Sequence, residues 1–419
     1  MSQFTLQSAE IAHALLMNAA KAKDPAMRAR LLEEGDWGID FILRTRFGDG
    51  WHATSMGATR YTDNKTGTFD DIPDVRVGNP ADAAGFYGKM FTGRAESCIR
   101  AAKEDFAAAL ARYRQCGVEL PTEAHEHTYP TGKSGYYAAA CWGASRLFAY
   151  TGEQAYADIA REFGSLLLAC QETGDAGIGI TGFFYREEEH RYAVHHDHQS
   201  REHLFMQALC ALAETQPSHK EHPLWDAAIR LYAGYLKDIY AEAAPYGMIP
   251  AGIYHEDEGD NEELFRRTNP GSDYERERPN YRLQVRAGRP LGNGFYLRCF
   301  PVWFSFRGNA AVTLSTGFGA AVAGRYLNDN ALLQIGREQL YWTLGKNPFG
   351  QSMMYGEGKR YPQLYATSSG ELCGELPVGM ESYENEDVPY WPQGNNCTYK
   401  EIWTSPTGRF LWLAAVLSE

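Results

Sequence analysis

One glutamate near the end of the chain is flanked by aromatic residues. Glu401 lies in the segment TYKEIW, with Trp391, Tyr399 and Trp403 close by in the sequence. Aromatic neighbours exclude water from a carboxyl group, which raises its pKa. A carboxylic acid that keeps its proton can act as general acid on a glycosidic bond, and aromatic rings also stack on sugars. We therefore predict that Glu401 is a catalytic acid and that the three aromatic residues bind substrate.

The segment after Glu401 predicts a helix that would hold it rigidly. Ser405 followed by Pro406 is a helix-start signature, because the serine hydroxyl can accept a free amide hydrogen and proline fits the first helical position. Apolar residues then recur at helical spacing to the end of the chain. The competing interpretation is a surface glutamate whose charge is paired with Lys400 or Arg409.

The run HHDHQSREH at 195–203 concentrates imidazoles and carboxylates. If a helix begins near His198, Glu202 lies one turn along on the same face, with His195 and His196 in the loop before it. Imidazole can act as a base or proton shuttle, and it also binds divalent metals. We predict that His198 and Glu202 are catalytic and that His195 and His196 bind substrate. Metal binding and structural hydrogen bonding are the alternatives, and no standard zinc spacing is matched.

A long polar loop follows the second predicted helix and is rich in Gly, Asp and Thr. Its Asp70 and Asp71 are candidates for the base that activates water in an inverting hydrolysis. The same loop offers hard oxygen ligands, so calcium is an alternative, although the spacing fits no EF-hand. The residues that would bind calcium are Asp63, Asp70, Asp71 and Asp74. Solvated loop acids are the third interpretation, and no other cofactor is expected.

Arginines cluster between positions 276 and 298. The guanidinium group matches carboxylates and sulfates in bidentate geometry. We predict that Arg282 and Arg286 bind substrate, which would suit a uronate-containing saccharide, and that Tyr355 in a later loop is a further sugar contact. The alternative is a surface loop in which neighbouring acids neutralise the arginines.

Helices in consecutive pairs must position these groups. Helical periodicity covers 4–21, 26–45, 91–116, 134–150, 153–170, 202–215, 222–243, 308–329, 330–345 and the closing segment from Ser405. Residues 177–192 read as a short strand-like segment, and regular periodicity disappears over 245–301. Short and long connections alternate, without the strand and helix alternation of a parallel sheet. We predict one all-α domain over 1–419, a toroid of helical hairpins with its long loops on one rim.

Composition excludes several functional classes. The net charge is −13 and no basic stripe is present, which argues against nucleic acid as a partner. No apolar run is long enough to span a membrane. The first residues lack a secretory signal, and 8 cysteines are scattered without pairs at metal or redox spacing. Both features predict a cytoplasmic protein or one whose leader has been removed.

Two regions carry a resemblance to a known family. The segment EQLYWTLGKNPFGQSMMYGEG at 338–358 resembles the LDYLLGRNPLGQSYVTGFG segment of glycoside hydrolase family 9, an endoglucanase-type family with an (α/α)6 barrel. The predicted hairpins at 31–46, 91–113 and 142–160 are similar to hairpins of that family. In the family, a glutamate just before the last barrel helix is the general acid. The resemblance therefore implies an (α/α)6-type toroid and supports Glu401 as the acid.

The chain also departs from that family. The family's catalytic base belongs to an Asp-Ala-Gly-Asp motif that should precede the first helix here, and no such motif is present. The histidine-arginine segment that follows the LGRNP region is replaced by residues 359–363. Either an N-terminal segment is missing from this chain, or another residue is the base. A missing hairpin would expose apolar faces of the first helices, which a homodimer contact could cover.

Three functions follow from these observations. The leading hypothesis is a glycosidase acting on an oligo- or polysaccharide, with Glu401 protonating the leaving oxygen. The second is a polysaccharide lyase in which a His or Tyr abstracts a proton beside a uronate and arginines neutralise its carboxylate. The third is a toroid that binds sugar without catalysis.

Overall fold

The computed structural model describes residues 3–48, 50, 52, 55–56, 95–119, 132–196, 199–269, 272–302, 308–364, 372–392 and 400–418. Its helices are α1 (Thr5–Lys21), α2 (Pro25–Arg44), α3 (Ala95–Cys116), α4 (Gly132–Thr151), α5 (Gln154–Leu168), α6 (His203–Thr215), α7 (His222–Tyr240), α8 (Glu262–Thr268), α9 (Tyr274–Arg286), α10 (Ala310–Leu327), α11 (Asn330–Thr343) and α12 (Thr404–Leu417). Its strands are β1 (Gln3–Phe4), β2 (Ser55–Met56), β3 (Gly252–His255), β4 (Arg289–Gly292), β5 (Phe295–Arg298), β6 (Glu381–Ser382) and β7 (Pro389–Tyr390).

The helices form antiparallel hairpins arranged as a ring. In each of the pairs α1/α2, α4/α5, α6/α7 and α10/α11, the first helix also packs against the first helix of a neighbouring pair or against α12. The inner helices contact one another in the order α1, α12, α10, α6 and α4. The ring of His13 in α1 lies against the ring of Trp142 in α4 at a centroid distance of 5.8 Å, which closes the circle. The predicted all-α toroid of hairpins is therefore confirmed, with α1, α4, α6, α10 and α12 on the inside.

Small and apolar residues place the inner helices in the core. Most residues of α6 and α10 are buried on all sides, since helices face them from both sides. A Cβ at Gly317 would lie 2.6 Å from Cγ of Gln339, so only glycine permits α10 and α11 to approach this closely. The ring of Trp412 is fully buried and stacks on Phe318 at 5.3 Å. Truncating such a residue costs about 3–5 kcal/mol.

The inner helices begin at a common rim. Thr404 at the start of α12 donates a hydrogen bond to Gln7 in the first turn of α1 (3.1 Å). Ser405 and Gln7 both donate to Gln199, which lies just before α6 (3.1 and 2.5 Å). Asn309, directly before α10, donates its backbone N–H to the carbonyl of Met380 (2.9 Å) in the loop before α12. Helix α10 therefore begins at the same rim. The long connections between hairpins therefore meet on one rim, as the sequence predicts.

Several local predictions need correction. Ser405 does not cap the last helix, because Trp403 is the N-cap residue and the Ser405 hydroxyl is donated to Gln199. The helix predicted from Glu202 begins one residue later, at His203. Residues 177–192 form only isolated bridges to neighbouring loop residues rather than a strand. None of the described helices combines the length and apolarity that crossing a bilayer requires.

The segment 245–301 is more ordered than its sequence pattern indicates. It contains the helices α8 and α9 and a three-stranded antiparallel sheet in the order β3-β5-β4. The fully buried Arg298 joins this unit to the loop before α12, with its guanidinium 3.4 Å from the carboxylate of Asp387. Asp387 also accepts the backbone N–H of Cys299 (2.7 Å) and of Phe300 (2.9 Å). No hydrophobic period in the sequence would reveal these charged contacts between two segments.

Candidate active site

Glu401 is held by backbone pairing on both sides. Its carbonyl accepts the N–H of Val378 (2.9 Å), and the N–H of Trp403 is donated to the carbonyl of Leu376 (3.2 Å). Val378 in turn accepts the N–H of Ala310, the first residue of α10 (3.0 Å). A positive φ of 107° at Gly379 permits the turn here, and a Cβ at that residue would lie 2.8 Å from the nitrogen of Ala310. Glu401 is thus fixed between the starts of two inner helices.

The carboxyl group of Glu401 is half-buried and has no cationic partner among the described residues. Loss of water around it raises its pKa, and the hydrogen bond that Trp403 Nε1 donates to Oε2 (2.8 Å) opposes the rise without cancelling it. A raised pKa increases the fraction of the carboxyl that carries a proton near neutral pH. Such a group can donate a proton to a leaving oxygen.

The competing interpretation of Glu401 as a paired surface glutamate is wrong. Arg409 is directed to the inside of the ring, where it binds Glu10 at 2.7 Å and also donates to the carbonyl of Ser200 (3.0 Å). Lys400 is buried with its Nζ over the ring of Trp391 at 5.4 Å. Burial lowers the pKa of Lys400. Neither cation reaches the carboxyl of Glu401.

The predicted aromatic residues differ in their access to a ligand. Trp391 is only 4% exposed, and its Nε1 is donated to Gln351 (3.2 Å), which leaves no open ring face for a sugar. Trp403 is half-buried beside Glu401. Tyr355 is half-buried and packs edge-on against Tyr361, which is 43% exposed. Tyr399 lies outside the described residues.

Tyr355 is hydrogen-bonded to the segment that pairs with the backbone around Glu401. Its backbone N–H is donated to the carbonyl of Glu375 (3.0 Å), directly before Leu376, which pairs with Trp403. The sequence interpretation selected Tyr355 but missed Tyr361, whose ring is the more exposed of the two. The sequence could have indicated Tyr361, because it lies only six residues after Tyr355 in the same glycine-rich loop.

The histidine run forms two separate carboxylate pairs rather than one cluster. His196 lies 3.4 Å from Glu202, which also accepts a hydrogen bond from Tyr232 (3.0 Å). His195 Nε2 lies 2.5 Å from Glu258, a residue of the segment 245–301. His198, like Asp197, lies outside the described residues. The structure thus places His196 beside Glu202, whereas the predicted pairing of His198 with Glu202 stays a prediction and Glu258 was not identified from the sequence.

Glu258 is a buried carboxylate with several hydrogen-bond donors around it. It is 2% exposed, and besides His195 it accepts the hydroxyl of Tyr281 (3.0 Å) and the backbone N–H of His255 (2.8 Å). Burial alone would raise the pKa of Glu258, but His195, the backbone N–H of His255 and the charge of Arg186 outweigh it and lower the pKa. Glu258 is therefore a carboxylate that holds its neighbours rather than a proton donor. No sequence spacing joins it to His195, since 63 residues separate them.

The arginines near the sheet are paired within the protein. Arg282 binds Asp260, and Arg286 binds Glu256 at 2.7 Å. The other arginines of the cluster are paired as well, namely Arg276 with Glu277, Arg278 with Asp260, Arg289 with Glu242 and Arg298 with Asp387. This arrangement corresponds to the alternative in which neighbouring acids neutralise the loop, so it offers no support for recognition of a uronate by these residues.

The predicted loop acids cannot be placed. Asp63, Asp70, Asp71 and Asp74 all lie outside the described residues, so the second carboxylate and the calcium alternative remain predictions. Within the described part of the chain, no group of three or more His, Cys, Asp and Glu side chains is arranged to hold a metal ion.

Comparison with solved structures identifies the fold. Over 100% of this chain and 69% of the other, the structure superimposes on a metagenome-derived glycoside hydrolase family 9 endoglucanase with a TM-score of 0.63 at 15% identity. The cellulase Cel9M of C. cellulolyticum matches with a TM-score of 0.56 at 14% identity, over 99% of this chain and 84% of the other. An endoglucanase from the termite Nasutitermes takasagoensis matches with a TM-score of 0.55 at 14% identity, over 100% of this chain and 86% of the other.

Sequence comparisons give no such match. No protein-family model matches the chain, and no curated protein matches it. The fold is therefore the (α/α)6 barrel seen in glycoside hydrolase family 9 structures, as the resemblance implies.

Proposed function

We propose that this protein is a glycoside hydrolase in which Glu401 protonates the leaving oxygen of a glycosidic bond in an oligo- or polysaccharide. The observation that carries the proposal is the state of Glu401: a half-buried carboxyl with a raised pKa and no cationic partner among the described residues, fixed at the rim where the inner helices begin. The fold supports it, since the solved structures with this fold named above are endoglucanases and a cellulase.

The reaction needs two functions at this rim. Glu401 gives its proton to the glycosidic oxygen as the bond to the anomeric carbon breaks, and a second group takes a proton from the water that attacks from the opposite face. Asp70 and Asp71 are the proposed bases of an inverting reaction. Trp403, Tyr355 and Tyr361 would offer ring surfaces to the sugar. Trp403 is hydrogen-bonded to the acid, the backbone of Tyr355 is bonded to Glu375 beside the segment that pairs with Trp403, and Tyr361 packs against Tyr355.

A substrate screen tests the proposal. The purified protein is incubated with neutral and uronate-containing glycans, and new reducing ends and ultraviolet absorbance are measured. Glu401→Gln removes the proton donor, while Glu375→Gln is the matched control, a half-buried glutamate of the adjoining loop whose carboxylate accepts a backbone N–H from Leu372 (3.0 Å).

We expect reducing ends without ultraviolet absorbance, lost in Glu401→Gln and retained in Glu375→Gln. Absorbance from an unsaturated product that survives in Glu401→Gln would instead show a lyase. Binding of glycans without turnover would show a protein that binds sugar without catalysis.

A further inference from the structure

The pair His195–Glu258 differs from the other histidine–carboxylate pairs of the rim in how its ring is held. Nε2 of His195 lies 2.5 Å from Oε2 of Glu258, and the ring stacks on Tyr254 with a centroid distance of 4.0 Å and an interplanar angle of 21°. Glu258 also accepts the hydroxyl of Tyr281 and is almost completely buried. The imidazole therefore has a fixed plane and a fixed direction.

The hydrogen bond to Glu258 also determines which ring nitrogen carries the proton. An ionised carboxylate only accepts hydrogen bonds, so Nε2 of His195 must be the donor. In a neutral imidazole the other nitrogen then carries a lone pair and accepts. Among the described residues, no side chain or backbone group hydrogen-bonds to Nδ1 of His195, and this atom is not among the polar atoms that are sealed from solvent. A neutral His195 ring thus presents an acceptor that the described part of the chain leaves open.

The loop that carries His195 belongs to the same rim as Glu401. Gln199, four residues along the chain, accepts hydrogen bonds from Ser405 of α12 (3.1 Å) and from Gln7 of α1 (2.5 Å). The loop therefore runs from the sheet-containing segment, where Glu258 lies, to the helix that follows Glu401. His195 therefore lies on the rim to which the proposed function assigns the glycan.

We propose that His195 is a substrate-contacting residue that accepts a hydrogen bond from a sugar hydroxyl through Nδ1, and that Glu258 is the positioning residue that sets its tautomer and orientation. This inference rests on the proposed function for its ligand class. Hydroxyl groups are the donors that a glycan offers in abundance, and an oriented neutral acceptor selects among their positions. His195 would then contribute to the choice of sugar rather than to proton transfer.

A histidine on β3, next to the Tyr254 that stacks on His195, serves as control. His255 also contacts a carboxylate, Asp257, through Nδ1 at 2.5 Å, but its Nε2 is engaged by the carbonyl of Asn293 (3.1 Å). Both of its ring nitrogens are thus occupied within the protein. His195→Gln keeps an amide donor near the position of Nε2 for Glu258 and removes the Nδ1 acceptor, so it is the informative substitution.

Kinetics on the best glycan from the substrate screen provide the first test. We expect His195→Gln to raise KM about 3- to 10-fold with kcat little changed, which corresponds to one neutral hydrogen bond. His255→Gln should change KM less than about 2-fold, because its nitrogens face the protein. Equal effects of the two substitutions, or a loss confined to kcat, would overturn the inference.

Nitrogen-15 NMR of the histidine side chains provides a test that does not depend on turnover. In the free protein at neutral pH we expect the His195 signal of the Nε2–H tautomer, and a change of the Nδ1 resonance on addition of cellotriose, xylotriose, mannotriose or a uronate trisaccharide. A protonated Nδ1 in the free protein, or an Nδ1 resonance unmoved by all four sugars, would overturn the inference. If the screen shows no hydrolysis but the Nδ1 resonance moves, the proposed function fails while this binding contact stands.

Discussion

Glu401 and Glu258 are both glutamates of the loop-bearing rim, and their neighbours give the two carboxyl groups opposite properties. Glu401 has lost part of its water and has gained only the indole N–H of Trp403, so its pKa rises. Glu258 has lost nearly all of its water but has gained His195, a backbone N–H and the nearby charge of Arg186, so its pKa falls. Burial alone therefore does not identify a catalytic acid. The number and charge of the donors around a buried carboxyl decide whether it keeps a proton or holds a structure together.

The largest expected effect is the loss of catalytic activity when Glu401 is changed. Glu401→Gln should lower kcat about 10²- to 10⁴-fold, because a positioned general acid contributes that much. Its free energy of unfolding should be unchanged or slightly higher at neutral pH, since the partly buried charge is disfavoured in the folded state. Steady-state kinetics and urea unfolding of the same preparation measure both quantities. Full activity in Glu401→Gln would exclude it as the acid.

The next largest expected effect is the loss of folding stability when Glu258 is changed. Glu258→Ala leaves His195, Tyr281 and a buried N–H without their acceptor, and breaking a buried pair in this way costs about 3–5 kcal/mol. Glu256→Ala is the matched control from the same loop, because its ion pair with Arg286 is largely exposed and such pairs contribute about 0–1 kcal/mol. Urea unfolding compares the two variants. Equal losses would mean that the contacts of Glu258 do not stabilise the fold.

The pH dependence of stability should have opposite signs at the two sites. The pKa of Glu258 is lowered on folding, so its contribution is present above the ordinary value of about 4.3 and is lost as the pH falls through the folded value. The pKa of Glu401 is raised on folding, so its contribution is present below about 4.3 and is lost as the pH rises through the folded value.

Unfolding measured from acidic to neutral pH tests these signs. The stability advantage of the wild type over Glu258→Gln should shrink on acidification, whereas the stability of Glu401→Gln relative to the wild type should grow on neutralisation. The same pH trend in both variants would contradict the assignment of opposite shifts.

The smallest expected effect concerns the single donor to the acid. The indole N–H of Trp403 stabilises the ionised form of Glu401, so Trp403→Phe should raise the pKa of that carboxyl further. The alkaline limb of the kcat/KM profile should then move to higher pH. Trp391→Phe is the control, because that indole is bonded to Gln351 instead. A shift to lower pH in Trp403→Phe would show that the indole does not act on Glu401 in this way.

Much of the fold, but less of the site, can be predicted from the sequence. The hairpins were predictable because their apolar residues repeat with the helical period, and local signals such as Asp24 as N-cap with Pro25 mark the start of α2. The position of Glu401 before the last helix was equally local. The hydrogen bond of Ser405 could not be predicted locally, because its hydroxyl donates to Gln199 across the rim instead of capping its own helix.

The residues that the sequence did not reveal are those joined over long chain distances. Glu258 and His195 meet through the folding of the segment 245–301 onto the histidine loop, and that segment has no period that would indicate a sheet. The pairing of Arg282 with Asp260 likewise depends on how α9 packs. Periodicity reports which face of an element is buried, but it does not report which element packs against it.

The most direct test of Glu401 as the acid uses a leaving group that needs no proton. Hydrolysis of a dinitrophenyl glycoside of the preferred sugar is compared with hydrolysis of the natural linkage, in the wild type and in Glu401→Gln. We expect the variant to lose about 10²- to 10⁴-fold on the natural linkage and to approach the wild-type rate on the activated glycoside, since dinitrophenolate departs without protonation. Equal losses on both substrates would contradict the assignment of Glu401 as general acid.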